Sequence, residues 1–512
     1  MSDNSLNNKR IAKNTVLLFV RMIFTMGISL YTSRVVLRTL GVEDYGIYNV
    51  VAGVVSMFAF LSGTMAGSTQ RFLTFEIGAG DNDKLHRVFC TSVIIHLIIA
   101  AIILVLAETV GFWFLNTQMN IPETRMDAAN WVFQSVVLST IIVFITVPYN
   151  ASVIAHEKMS AFAYISILDA ILKLAIVYLL CVFDFDKLKL YAVLMLSIQF
   201  LNICIYRIYC RKHFMESHFE RIFDKDIFHK MLSFTGWSLF GGFSSVGFTQ
   251  GINILLNIFF GPAVNAARGV AVQVQGAVSS FIANFQMALN PQITKSYASG
   301  DFDRMRKLVM ASGRYSFYMM LVMVLPIVLE IEPILSVWLE EVPDYTANFV
   351  RLILCISLID SLANPLIAAA NATGNIGKYQ RVVGTILLLI VPIAYVALKL
   401  GCHPEGVFIC HLSMAVCAQI ARAWMLRPMI NFSIKRYVMH VIVRICVVGV
   451  GSSVIPFFIY TYLPKNTLSS FLAVCTVAVL CVLITVYTIG IDKTERDLCN
   501  KKILQIIKKV KG

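Results

Sequence analysis

Arg21, Arg268, Asp169, Lys173 and Asp360 each fall inside a long apolar stretch of the 512-residue chain. A charge near the centre of a membrane-crossing helix costs roughly 3 kcal/mol, so such a residue marks function by default. The chemistry these five suggest is binding and charge movement rather than bond making. An arginine fork grips phosphate oxygens in a bidentate way, which makes Arg21 and Arg268 candidates for holding an anionic cargo. Asp169 and Lys173 lie four apart, in the order that favours attraction on a helix. They read as an intramembrane ion pair that either locks packing or lines a cargo path. Asp360 has no obvious local partner, since Arg351 is more than two turns away. That leaves a partner on another helix, or coupling to protons. Arg314 and Arg444 read as snorkelling from span ends. Arg34 and Arg38 read the same way, or as a ring at the outer mouth.

Uncharged polar residues form stripes on the same stretches. Arg21, Thr25, Ser29 and Thr32 share one helical face, as do Ser238, Ser245, Thr249 and Asn253. Arg268, Gln275, Ser279, Gln286 and Asn290 form another, with Gln273, Ser280 and Asn284 on a second face. Asn49, Ser56, Gly63 and Gln70 recur at heptad spacing. Two readings stand: such residues glue packed helices together, or they line a hydrated cavity. The substrate-cavity candidates are therefore Arg21, Arg268, Thr25, Ser29, Ser245, Thr249, Asn253, Gln275, Gln286 and Asn290. Asp169, Lys173 and Asp360 are candidates for pairing or coupling.

No catalytic, metal-binding or nucleotide-binding constellation accompanies them. The string nearest a Walker A, Ala372 to Tyr379, has Ala for its first Gly and Tyr for its Ser or Thr. The 12 Cys are scattered without a C-x-x-C, and the 9 His show no ligand spacing. The expectation is a protein without cofactor or metal, not an enzyme, drawing at most on a proton or sodium gradient.

The elements that position these residues follow from composition. The chain is 58% hydrophobic and 14% charged, against about 25% charged for an ordinary soluble domain. That excludes a soluble enzyme, a disordered chain and a small disulfide scaffold, and leaves an all-α polytopic membrane protein. Runs of about 20 apolar residues number about fourteen: 14–36, 45–69, 88–108, 130–150, 160–183, 188–207, 231–257, 264–290, 309–329, 346–370, 382–400, 405–424, 437–461 and 467–490. The first is too long and too charged for a cleaved signal peptide, so the N-terminus is expected to be retained.

The formal net charge of +14 resembles a nucleic-acid footprint until the charges are placed. With the N-terminus inside, roughly thirty of the 43 Lys and Arg fall on inner segments and about five outside, a strong positive-inside signal. Both termini are expected to be cytoplasmic, and nucleic acid is excluded as a partner. The segment Glu330–Asn348 is acidic with no Lys or Arg, while Arg207–Lys230 and the tail from Asp492 are basic. The tail Lys501–Lys511 reads either as an interfacial helix on an anionic leaflet or as a solvated end.

The chain also repeats itself. Shifted by 220, Gly41 falls on Gly261, Val50 on Val270, Val54 on Val274, Thr74 on Thr294 and Ser92 on Ser312. Gly80-Asp81-Asn82-Asp83-Lys84 meets Gly300-Asp301-Phe302-Asp303-Arg304. At a shift of 217, Pro148, Ala151 and Ala155 meet Pro365, Ala368 and Ala372, and Trp113 and Trp338 occupy matching outer loops. Six spans separate the copies, so both enter the membrane in one direction, as parallel repeats do. The expected organisation is a lobe at 1–209, a cytoplasmic linker at 210–228, a second lobe at 229–425, two further spans in 426–490 and a basic tail at 491–512.

The string Leu37-Arg38-Thr39-Leu40-Gly41-Val42-Glu43-Asp44-Tyr45-Gly46-Ile47-Tyr48 resembles the first outer loop of bacterial polysaccharide transporters, where L-G-x-x-x-[FY]-G-x-[FY] leads into the second helix. The segments from Tyr149-Asn150-Ala151 to Lys158-Met159, from Leu289-Asn290-Pro291 to Gly300-Asp301, and Ala370-Asn371-Ala372-Thr373-Gly374 are also similar. The resemblance covers the whole chain and points to the Wzx-type O-antigen flippases of the multidrug/oligosaccharidyl-lipid/polysaccharide exporter superfamily. It implies flipping of an undecaprenyl-pyrophosphate-linked oligosaccharide across the bacterial inner membrane, with cationic cavity residues on the pyrophosphate and two lobes rocking in alternating access. It implies membrane lipids, and a polysaccharide polymerase and chain-length proteins, as partners. It also associates spans 13 and 14 with the lipid tail. Arg21 and Arg268 rest on the face analysis alone. The rival readings are a cation-coupled multidrug exporter of the same fold and a membrane enzyme of glycan assembly. A cation exporter wants acidic spans, whereas roughly eight basic residues stand in or at the ends of these spans against Asp169 and Asp360.

Overall fold

The computed structural model describes residues 3–56, 59–117, 119, 121–182, 185–339, 342–464, 467–492, 495–497 and 500. The basic tail Lys501–Lys511, Glu340 and Glu341 lie outside the described residues, as do the side chains of Arg34, Asn49 and Ser56. Among the described residues the secondary structure is helical throughout.

The helices in chain order begin with α1 (Asp3–Ser56), α2 (Ala59–Ala79), α3 (Asn82–Leu106), α4 (Phe112–Thr117), α5 (Met126–Ala155), α6 (Met159–Val182) and α7 (Lys187–His213). They continue with α8 (Lys225–Phe260), α9 (Pro262–Ala298), α10 (Phe302–Leu329), α11 (Ile331–Trp338), α12 (Thr346–Thr373), α13 (Gly377–Leu388) and α14 (Ile390–Lys399). The last are α15 (Glu405–Ile430), α16 (Ile434–Tyr437), α17 (Val443–Tyr462) and α18 (Leu468–Thr485).

Eleven segments among the described residues are long and apolar enough to cross a membrane. Three more helical runs complete the expected fourteen. Gly41, at φ 82°, splits α1 in two; its first run is one span, with an apolar stretch only from Asn14 to Ser29. Its second run leads into α2 as the next span, and α9 is the third. α9 carries Arg268 and six Asn or Gln within Asn265–Asn290, which is why composition alone passes it over. The polar stripes thus coincide with the least apolar spans, because every polar side chain facing inward lowers the mean.

The 220-residue repeat is visible in the backbone. Gly41 and Gly261 turn at φ 82° and 81°, and Gly80 and Gly300 at 77° and 76°. A left-handed backbone costs a residue with a Cβ roughly 1–2 kcal/mol, so glycine in both copies marks the same turn. Pro148 in α5 and Pro365 in α12 likewise both sit inside helices.

Contacts divide the chain into two compact units. The first holds the chain up to Gly242 together with Met287–Asp301 and Gly374–Gly377. In it α5 packs on α7, α2 and α3, and α1 packs on α6. Its main core gathers Phe89, Phe144, Tyr149, Phe234 and Ile376, all buried. The second holds Phe243–Gln286, Phe302–Thr373 and the chain from Lys378. There α12 packs on α10 and α15, while α18 packs on α17 and α10. Its core gathers Phe248, Met320, Phe349 and Phe408. Apolar side chains also face outward, as with Ile102 and Val105 on α3 and Val450 and Phe458 on α17. That exposure suits a surface solvated by lipid rather than water.

Candidate functional site

In the first unit Arg21 is half-buried and its guanidinium stacks 4.7 Å from the Phe162 ring centroid. Beside it Tyr206, on α7, feels the charges of both Arg21 and Asp169 and accepts a 3.0 Å hydrogen bond from Asn150 Nδ2. Asp169 holds Lys173 Nζ at 2.7 Å and accepts a second bond, also 2.7 Å, from Asn202 Nδ2. The charges of Arg21 and Asp169 thus both reach Tyr206, a residue that helical spacing along one span passes over because it lies on another. Thr25 donates to Met22 O in its own helix, and Ser29 is exposed.

In the second unit Arg268 is buried. Nη1 donates to Asn253 Oδ1 at 3.1 Å and Nη2 to the Thr249 carbonyl at 2.9 Å. These bonds fix the guanidinium at a cavity of about 440 Å³ lined also by Asn253, Asn257 and Asn265, with no carboxylate in its wall. Nε of Arg268 is buried without a partner. Such an arrangement favours an anion: the positive charge is oriented, incompletely satisfied and uncompensated. Ser245 is exposed and its carbonyl accepts from Thr249 Oγ1.

Gln275 and Gln286, further along the α9 stripe, hold helices together. Gln275 donates to Ser357 Oγ at 3.0 Å. Gln286 donates to Ser316 Oγ and the Ser361 carbonyl, and accepts from Asn364 Nδ2 at 2.8 Å. Asn290 is half-buried and belongs to the first unit, where its carbonyl accepts from Thr294 Oγ1. Asp360 makes no ion pair among the described residues; the opposite charge that bears on it is that of Arg422 on α15, which is buried. Arg351 is engaged elsewhere, with Glu332 at 3.0 Å. Arg314 and Arg444 do not snorkel freely. Both bind Asp492, and Arg314 also binds Glu495 at 3.1 Å, because the chain beyond α18 folds back beneath them.

A second polar cluster, invisible to the helical-face analysis, lies at the basic-loop end of the first unit. Glu157, between α5 and α6, is buried. Its carboxylate meets Gln292 Nε2 and Lys295 Nζ, each at 2.5 Å, and its carbonyl accepts from Asn14 Nδ2. The turn that carries it bonds Glu157 N to Ile154 O and Lys158 N to Val153 O. That is a Schellman cap, with Glu157 at φ 59° in the position glycine ordinarily takes. Nearby, Arg71 lies 4.7 and 4.8 Å from the Phe72 and Phe75 ring centroids. A Cβ on Gly374 would come within 2.6 Å of its Nη2, and one on Gly78 within 2.8 Å of Ala298 and Lys295. Glu157 and Arg71 sit at span ends, where a hydropathy reading expects solvated charge. Only contacts between distant segments reveal them.

At the opposite end of the unit, Arg125 bridges Asp44 and Asp186. Burial pushes the Asp186 carboxyl up, but the Lys189 amide and the Arg125 guanidinium outweigh it and hold the group below its usual range. Among the described residues no cluster of three or more His, Cys, Asp or Glu could hold a metal ion.

Comparison with known proteins places this architecture. Among curated proteins no sequence matches the chain. Among solved structures, an outward-facing conformation of a multidrug resistance MATE family transporter of the MOP superfamily superposes with a TM-score of 0.67 at 16% identity, covering 82% of this chain and 96% of that chain. MATE in the bent conformation gives 0.71 at 14% identity, covering 84% and 98%. A MOP superfamily transporter from Pyrococcus furiosus, described as having reversed binding-pocket polarity that suggests a different function, gives 0.65 at 16% identity, covering 82% and 96%. These likenesses show the fold. Residues 11–297 match the family described as polysaccharide biosynthesis protein. With more than half its length in that match, the chain is a multi-pass membrane protein with a transporter fold that belongs to the polysaccharide biosynthesis protein family.

Proposed function

We propose that the protein flips an undecaprenyl-pyrophosphate-linked oligosaccharide from the cytoplasmic to the outer leaflet of the bacterial inner membrane, by alternating access of two six-helix lobes at 1–209 and 229–425. The observation that carries this reading is Arg268, fixed by Asn253 and Thr249 at a cavity whose wall holds no carboxylate. A pyrophosphate offers two negative centres to a site of that sign, and Arg21 is the counterpart on the first lobe. The same sign argues against export of cationic drugs. The reversed pocket polarity noted for the Pyrococcus transporter, which suggests a different function for that protein, is a precedent within this fold for pocket sign changing with function.

Both termini then lie in the cytoplasm, and the basic-loop end of the first unit is the inner gate. Glu157, Gln292 and Lys295 join the α5–α6 turn to the last turns of α9, and parting them opens the inner mouth. Asp169 with Lys173, and Asp360 with Arg422, are the groups through which a proton or sodium gradient acts on the cycle. A polysaccharide polymerase and chain-length proteins take the product onward.

The test is surface polysaccharide in a host lacking its own flippase. Arg268→Ala and Arg21→Ala should each remove most surface polymer while membrane levels and thermal stability hold. Arg268→Lys should retain part of the activity, since it keeps the charge but loses the fork. Full polymer from both alanine variants would overturn the assignment. Drug tolerance that tracks the variants while polymer does not would favour the multidrug reading.

A further inference from the structure

A second cationic cavity in the second unit shares no lining residue with the one at Arg268. About 550 Å³ in volume, it opens between the start of α10 and the turn that joins α15 to α16. Arg306 and Lys307 enter it from α10, and Arg436 and His440 from the other side. The turn itself brings them together. Asn431 caps α15 in the left-handed region at φ 53°, and Ser433 Oγ accepts from the Arg436 amide to start α16. Arg306 is braced: Nη1 donates to the Ile430 carbonyl at 3.1 Å, and Nη2 holds Asp303 at 2.6 Å. Asp303 is the one carboxylate among the described residues lining the cavity. It pairs with Arg306 and also feels Lys307 and Arg436, so one negative charge faces three positive ones and two remain in excess. Neither Lys307 nor Arg436 makes an ion pair among the described residues. The charges end where an apolar surface begins: Met310 lines the cavity, while Met439 and Val443, 56% and 41% exposed, continue from its rim along the span.

We infer that this cavity binds the phosphate of an anionic phospholipid from the basic-side leaflet, with the acyl chains lying along Met439 and Val443. Two positive charges in excess around a braced arginine form an anion seat. An adjoining apolar strip within the membrane gives the anion a reason to be lipid-borne. Each cation near such a leaflet adds attraction worth several-fold in affinity. The site is independent of the cargo assignment, because none of its residues lies on the stripes that carry Arg21 or Arg268.

The experiment uses the full-length protein, purified and presented with phosphatidylglycerol, phosphatidylcholine or inorganic phosphate as separate probes, with lipid retention read by native mass spectrometry. The wild type should retain phosphatidylglycerol over phosphatidylcholine, and millimolar phosphate should not displace it. Lys307→Gln with Arg436→Gln, which breaks no bond seen in the fold, should weaken retention about thirty-fold. Arg306→Gln should weaken it further and, by freeing the Ile430 carbonyl, also lower the Tm. Retention by the Lys307→Gln/Arg436→Gln variant at the wild-type level would overturn the site, as would equal retention of phosphatidylcholine. Displacement by inorganic phosphate would show a free-anion site and overturn the lipid assignment. Each of these reads binding alone, so failure of the flipping assay leaves the result intact.

Discussion

Glu157→Gln should loosen the basic-loop end of the first unit by a calculable amount. The side chain is 3% exposed and receives charge-assisted bonds from Gln292 and Lys295. Glutamine keeps the shape and removes the charge. Hydrogen bonds to a charged group contribute about 1.5–3 kcal/mol each. Lys295, 23% exposed, recovers part of its hydration when the pair is lost, so a net loss of about 2 kcal/mol is expected, or roughly thirty-fold in the closed-to-open ratio. The probe is Ser296→Cys on α9, a near-isosteric change at a residue 4% exposed. A membrane-impermeant maleimide is applied from the basic-loop side, and labelling of the peptide containing residue 296 is followed by mass spectrometry. Labelling should accelerate by about the same thirty-fold in the Glu157→Gln background, provided opening precedes labelling. Glu157→Gly sharpens the test. It relaxes the left-handed turn, by about 1 kcal/mol, yet also lacks the carboxylate, so it should open the end as Glu157→Gln does. Unchanged labelling in a stably folded Glu157→Gln protein would refute the argument, as would a Glu157→Gly protein that stays as closed as wild type.

Other outcomes follow from the same geometry. Gly374→Ala brings a Cβ within 2.6 Å of Arg71 at φ +76° and should cost about 2–4 kcal/mol from strain and overpacking together, read as a lower Tm. Gly401→Ala, at φ +90° with open space around it, should cost only about the 1–2 kcal/mol of backbone strain. Gln286→Leu strands Asn364, Ser316 and the Ser361 carbonyl and should lower stability by about 2–4 kcal/mol, without the selective loss of transport expected of Arg268→Ala. Asp186 is a carboxylate held below its usual range. Its stabilisation is complete above the unfolded-state value and is lost as pH falls through the folded one. The Arg125 bridge should therefore survive mild acid and loosen only in strong acid, and hydrogen exchange across 182–190 as a function of pH would show it. Loosening near neutrality would contradict the bridge.

Much of this architecture is legible in residue order because a bilayer imposes a simple rule: about 20 apolar residues per crossing. The first and second spans, α8 and α9 are the informative cases, since the polar stripes that lower their hydropathy are the same residues that single them out. Gly41 with Gly261 and Gly80 with Gly300 were readable as a repeat, and their shared left-handed turns give that repeat a physical cause. The partners of charges were not readable. Asp360 lies near Arg422, Arg351 binds Glu332, and Arg314 binds Asp492 and Glu495. In each case the partner comes from an element whose neighbour is fixed by tertiary packing rather than by spacing along one helix. Glu157 was hidden twice over, as a charge at a loop and as a non-glycine in a seat made for glycine.

The polarity of α9 reaches into how the protein is made. A helix bearing Arg268, Gln273, Gln275, Asn284 and Gln286 gains little by partitioning alone into hydrocarbon, and the short apolar stretch Asn14–Ser29 is similarly marginal. These segments must enter the bilayer beside a sheltering neighbour. α8, which meets Arg268 through Asn253 and Thr249, emerges from the ribosome just before α9 and is placed to act as its escort. The side chains best suited to meet a charged cargo are thus also those that make biogenesis cooperative, so a substitution on α8 can fail at insertion before transport is ever attempted.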